Sequence, residues 1–273
     1  MVIALNTVTV AAEPFVSGVV RQRLITEERV KDTRVRIDRL TLAVSATVQL
    51  KLSAKSLAWL HMLEGEATLT AHNYTDRMSD HHSAFLPPGI DATLSTGEGA
   101  SVLYAEIPDV GRVDPGFAAE PALYTILDWT RELVFVCKQD ARKRVALVSW
   151  ELCRTKAMRA GMAIHPVGTA APSYHHEGAD TCIYVLSGLG TARADRQSIA
   201  VRRHDLIHIP DRTQYYLQAA DNSDLRFLTL QVPGEFKTVW ADPKRASAWQ
   251  STKLDINGFR TAEDERERRV SKI

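Results

Sequence analysis

The sequence predicts an all-β protein made of two tandem copies of one β unit, and three observations carry that prediction. The chain is a succession of short apolar, β-branched runs separated by turn residues, such as Leu40 to Val44, Ala67 to Thr70 and Leu206 to Ile209. Leu60-His61-Met62-Leu63-Glu64-Gly65 resembles Ile183-Tyr184-Val185-Leu186-Ser187-Gly188, and His81-His82-Ser83-Ala84-Phe85-Leu86-Pro87 resembles His204-Asp205-Leu206-Ile207-His208-Ile209-Pro210. Both pairs keep one offset of 123 residues, Gly65 to Gly188 and Pro87 to Pro210, with no insertion between the motifs. Two separate motifs at one spacing imply duplication of a whole unit.

In chain order, Val8-Thr9-Val10 reads as a short strand and Glu27 to Lys31 as a solvated charge cluster. The first β unit spans 36–110, and the Gly-, Pro- and Asp-rich stretch 108–121 reads as a linker. The second unit spans 130–235. It opens with strands in Glu132 to Val136 and Arg144 to Val148, and it stops at Pro233-Gly234. Residues 236–273 read as a tail in which Trp240 and Trp249 pack back on the body. Within it, Ala262 to Arg269 is expected as a short exposed helix with i,i+4 charge pairs.

Composition limits the function. Lys plus Arg (34) nearly cancels Asp plus Glu (33), so no global field draws in nucleic acid or an anionic membrane. Three widely spaced cysteines fit neither a disulfide framework nor a zinc ribbon and suit a reducing cytoplasm. The first residues lack the pattern of a signal peptide, and no apolar run reaches the roughly 18 residues of a membrane span. The expected protein is soluble and cytoplasmic. Gly188-x-Gly190 lacks a third glycine and a following helix, so it is a turn and no dinucleotide loop.

Chemistry concentrates in Ser173 to Gly190. There His175, His176, Glu177 and Asp180 precede a buried run ending at the turn, the arrangement of a loop delivering polar side chains to a strand. These four are the candidate metal ligands. Adjacent strand residues point to opposite faces, so His175 and His176 should not both face one ion, and His176 is the better placed. His208 and Tyr215 are candidate acid–base groups. Tyr184, Gln214 and Tyr216 are candidate pocket lining.

The repeated unit resembles a cupin, a small double-stranded β-helix (jelly-roll) barrel, and the doubled chain resembles a bicupin with a short helical C-terminal tail. The family's motifs run approximately G-x5-H-x-H-x3-4-E-x6-G and G-x5-P-x-G-x2-H-x3-N. In the second copy Gly188 and Pro210 match. Thr181 stands at the glutamate position, Arg212 at the motif-two glycine and Tyr215 at the motif-two histidine. In the first copy Gly65, Pro87 and Gly89 match, Ala58 and Ala92 replace the glutamate and histidine, and Lys51 to Ser53 lie where histidines would be. The first barrel is therefore expected to be structural and the second to carry the site.

The resemblance implies a small-molecule substrate, one divalent transition metal (iron ahead of manganese, nickel, copper or zinc) or none, and a homodimer hiding its edge strands. Three functions follow from it: a metal-dependent oxygenase or dioxygenase, a metal-independent isomerase, cyclase or lyase using Tyr and His, and a non-catalytic small-molecule binder.

Overall fold

The computed structural model describes residues 1–259, 261, 271 and 272. Among them the only α-helix is the four-residue Trp150–Cys153, and the rest is strand, turn and 3-10 helix. None of the described helices is long and apolar enough to cross a membrane. The chain forms two compact units, each with its own core.

The first unit is built on Thr7–Trp129 and Trp150–Ala157. Its larger sheet runs Glu13–Val16, Val19–Ile25, Arg36–Leu42, Ala100–Ile107, Leu57–Gly65, His82–Leu86, Leu123–Asp128 and Ser271–Lys272. The smaller sheet runs Thr47–Lys51, Asp91–Ser95, Ala67–Ala71 and Tyr74–Met78. Period-two alternation sends Ala58, Leu60 and Met62 into a core with Leu69, Leu94 and Val102.

The second unit comprises Met1–Asn6, Thr130–Ser149 and the chain from Met158. Its larger sheet orders Ile3–Asn6, Asp205–Ile209, Asp180–Ser187, Leu225–Val232, Arg159–His165, Lys143–Val148, Val134–Cys137 and Trp249–Ser251. The smaller sheet orders Gln197–Arg202, Leu189–Ala194, Tyr215–Ala219, Tyr174–Glu177 and Lys237–Trp240. Ile183, Val185, Ile207, Ile209, Leu217 and Phe227 fill the space between.

The repeat seen in the sequence is a repeat in space. Leu57–Gly65 and Asp180–Ser187 occupy matching places in their ladders, as do His82–Leu86 and Asp205–Ile209, and Arg36–Leu42 and Arg159–His165. The glycine closing the first of these strand pairs is dictated by backbone. Gly188 has φ +90°, and a Cβ there would stand 1.7 Å from the Asp224 carbonyl oxygen. Gly65 has φ +75°, with the Gly99 carbonyl oxygen 2.3 Å from the same point.

The unit boundaries differ from those the sequence suggested. Strands Glu13–Val16, Val19–Ile25 and Leu123–Asp128 lie outside 36–110 yet complete the first barrel. Ile3–Asn6 pairs with Asp205–Ile209 in the second unit, the place Leu123–Asp128 takes beside His82–Leu86 in the first. Two stretches of the supposed tail are strands of the second unit: Lys237–Trp240 pairs with Tyr174–Glu177, and Trp249–Ser251 pairs with Val134–Cys137. Backbone hydrogen bonding to distant strands decided these places, and composition does not record it. The helix expected at 262–269 lies outside the described residues.

Candidate functional site

Four positions converge inside the C-terminal barrel: Tyr174, His176, Thr181 and Tyr215. Tyr174–Glu177 lies between Tyr215–Ala219 and Lys237–Trp240, and alternation along it turns Tyr174 and His176 inward. Tyr215 is buried in the core and its ring centroid is 4.6 Å from that of Tyr174 and 6.1 Å from that of His176. The side chains of Thr181, Tyr215 and Tyr174 bring their hydroxyls near one another there. Phe236 packs 4.2 Å from the His176 ring and Trp240 5.0 Å from that of Tyr174, centroid to centroid. The positions expected to hold a ligand thus form an aromatic cluster that also carries hydroxyl groups.

Burial sets the protonation states. It pushes the His176 imidazole down to about 4, helped by the charges of His175 and Arg159, so the ring is neutral at pH 7. Its Nδ1 is 3.1 Å from the Thr238 Oγ1. Burial also holds the Tyr174 and Tyr215 phenols above their ordinary value, so both remain protonated.

The structure separates the other sequence candidates from this cluster, and strand alternation is the reason throughout. His175 and Glu177 face away from His176, with His175 Nε2 3.7 Å from Glu177 Oε1 and Lys237 Nζ 3.6 Å from Glu177 Oε2. Asp180, Tyr184 and His208 lie on the opposite face of the larger sheet from Thr181 and Ile183. There His208 Nε2 is 3.6 Å from Asp180 Oδ2, and the Tyr184 hydroxyl is 3.1 Å from His204 Nδ1. Gln214 is exposed, and Tyr216 points away from its neighbour Tyr215 toward the opposite surface. Of the nine sequence candidates, His176 and Tyr215 are the two that join this cluster.

Tyr174, which the sequence argument passed over, is central. The longer of the two spacings the cupin motif permits reads Gly168-x5-Tyr174-x-His176-x4-Thr181-x6-Gly188. That reading places Tyr174 and His176 at the two histidine positions. Trp240 was expected only to pack back on the body and Phe236 carried no local signal, because both reach the cluster from a segment about 60 residues away in the chain.

A transition metal does not fit this donor set. Such an ion needs several imidazole, thiolate or carboxylate ligands. Of the four convergent residues only His176 supplies one, and the two phenols are held in their protonated, poorly ligating form. Among the described residues no three His, Cys, Asp or Glu side chains are grouped to hold an ion.

Residues 161–231 match the model of the Cupin domain. An uncharacterized protein of Methanocaldococcus jannaschii is 30% identical over 71 residues, which are 26% of this chain and 57% of that relative's length. Among solved structures, protein Ylba from E. coli superposes with a TM-score of 0.69 at 13% identity, covering 86% of this chain and 91% of the other. Oxalate decarboxylase of Bacillus subtilis, whose Mn(II) centres have been characterised, gives 0.70 at 12% identity over 87% and 79% of the two chains. Procruciferin, an 11S globulin of Brassica napus, gives 0.72 at 7% identity over 90% and 87%. At such identities the likeness shows the fold, which a metal protein and a globulin share. With the domain match at residues 161–231 and that fold in both units, the chain carries a cupin domain in its second unit and has the fold of a bicupin.

Proposed function

We propose that the protein is a metal-independent bicupin that takes a small organic molecule into the mouth of its C-terminal barrel and exchanges a proton with it. The observation that carries this reading is that of the four convergent ligand positions only His176 keeps a ligand, the others being Tyr174, Thr181 and Tyr215. In the tautomer whose Nδ1–H donates to Thr238 Oγ1, the neutral His176 ring keeps Nε2 as an acceptor for a substrate proton. The phenols are held protonated and supply donors where negative charge develops on a substrate oxygen. Proton removal at one atom and donation at another is the chemistry of an isomerase or lyase. The oxygenase reading needs an ion that this donor set does not suit.

One observation favours a second reading, a binding module without turnover. The burial that keeps His176 neutral brings it to about 4, which makes it a weak base.

Two measurements test the proposal. Metal analysis of protein purified and reconstituted with manganese or iron is expected to give far less than one ion per chain, unchanged by His176→Ala; one ion per chain, lost in that variant, overturns it. Incubation with a panel of small keto acids in D2O is expected to give deuterium wash-in that is abolished in His176→Ala. Saturable binding without wash-in selects the binding module.

A further inference from the structure

The inner faces of the two barrels share one framework but differ in charge. In the first unit Arg21 stands beside Leu40, Arg23 beside Asp38, and Glu106 beside Arg36 and Ala58. Glu13, opposite Arg21, holds both Arg21 and Arg23 at 2.7 Å through Oε1. Three carboxylates, Glu13, Asp38 and Glu106, thus share this face with three arginines.

The same ladder positions in the second unit tell a different story. Arg144 stands beside Ala163 as Arg21 does beside Leu40, and Arg159 stands beside Gln231 as Arg36 does beside Glu106. The three acidic positions have become Phe135, Gly161 and Gln231. Both retained guanidiniums rest on aromatic rings instead: Arg144 lies 4.5 Å over Trp249 and 5.4 Å over Phe135, and Arg159 lies 5.4 Å over Phe236. Neither has a hydrogen-bonded or ion-paired acid among the described residues.

Both arginines reach solvent on the open inner face. Arg144 is nonetheless held below its usual value, first by partial burial and then by the charge of Arg159. Between them Gly161 stands where the first unit carries the Asp38 side chain, so no side chain projects there. A Cβ at this position would lie close against the Val145 carbonyl oxygen at 3.0 Å and meet Thr229 Oγ1 at 3.7 Å. Two ring-stacked guanidiniums flanking a position without a side chain can offer N–H groups to a planar anion.

We propose that the molecule bound in the C-terminal barrel is an organic carboxylate, whose carboxylate lies between Arg144 and Arg159 in the place Asp38 takes in the first barrel and whose apolar part faces Phe236, His176 and Tyr174. This names the ligand class of the site described above. It rests on that site admitting a small molecule and is independent of the proton chemistry assigned there.

The test is titration of the full chain with benzoate, with succinate and with inorganic phosphate, followed by NMR and calorimetry. Saturable binding of at least one carboxylate is expected. It should weaken at least about tenfold in Arg144→Gln and in Arg159→Gln. Gly161→Asp, which restores the first barrel's own carboxylate, should weaken it likewise. Circular dichroism checks that each variant folds, and the two arginine variants decide the matter if Gly161→Asp does not. The inference is overturned if neither carboxylate saturates, if affinity is unmoved in folded arginine variants, or if phosphate binds as tightly with the same dependence. One metal ion per chain would overturn the metal-independent reading and leave this one standing. Carboxylate binding indifferent to the arginines would do the reverse.

Discussion

The Tyr215 ring lies 4.6 Å from that of Tyr174, centroid to centroid, inside the C-terminal barrel. Thr181 lies near Tyr215 from the neighbouring sheet. Tyr215→Phe keeps the ring contact and deletes a hydroxyl of a buried side chain that neighbours Thr181 and Tyr174. A loss of about 1–3 kcal/mol is expected from urea unfolding, together with loss of any proton-exchange activity. An unchanged midpoint would mean the Tyr215 hydroxyl contributes nothing to stability.

His208 gives the opposite expectation. It is buried on the far face of the sheet, and neither ring nitrogen has a hydrogen-bond partner; Phe85 takes the matching place in the first unit. His208→Phe is expected to be neutral or to stabilise by about 1 kcal/mol, without effect on ligand binding at the barrel mouth. A tenfold loss of binding or activity in this variant would return His208 to the site.

The dependence of stability on pH follows from the buried imidazoles. Burial holds His61 and His165 at about 3 and His176 at about 4, against an ordinary value of 6.5. Between those limits the unfolded chain binds more protons than the native one, so stability is full above about 6.5 and is lost as pH falls toward 4 and then 3. Asp38 works against this trend, because burial raises it to about 6 and the native state then takes up its proton first as pH falls. Chemical denaturation from pH 8 to 4 should therefore show a decline that steepens in Asp38→Asn and flattens in His165→Phe. A midpoint that rises on acidification would contradict the assignment.

Gly188→Ala tests the turn shared by both units. The added methyl would meet the Asp224 carbonyl oxygen at 1.7 Å in a left-handed backbone conformation. A loss of more than about 2 kcal/mol is expected, read as a fall in melting temperature. Gly258→Ala has φ +83° with nothing within 4 Å of the new methyl, so it carries the strain without the collision and should cost less.

The doubled β unit was written in the chain, because the turn glycines and the prolines at one offset answer to local backbone geometry that each copy must satisfy. Alternation likewise implied that only one of His175 and His176 could face inward. Which strands close each barrel was not local: Ile3–Asn6 finds Asp205–Ile209 about 200 residues away, and no short pattern encodes such a pairing. The same holds for Arg144 and Arg159, unremarkable as sequence. They gain meaning only when ladder register shows the carboxylates of the first barrel missing beside them. Tertiary pairing decided the site, since a side chain's neighbours across a sheet are set by hydrogen-bond register and not by distance along the chain.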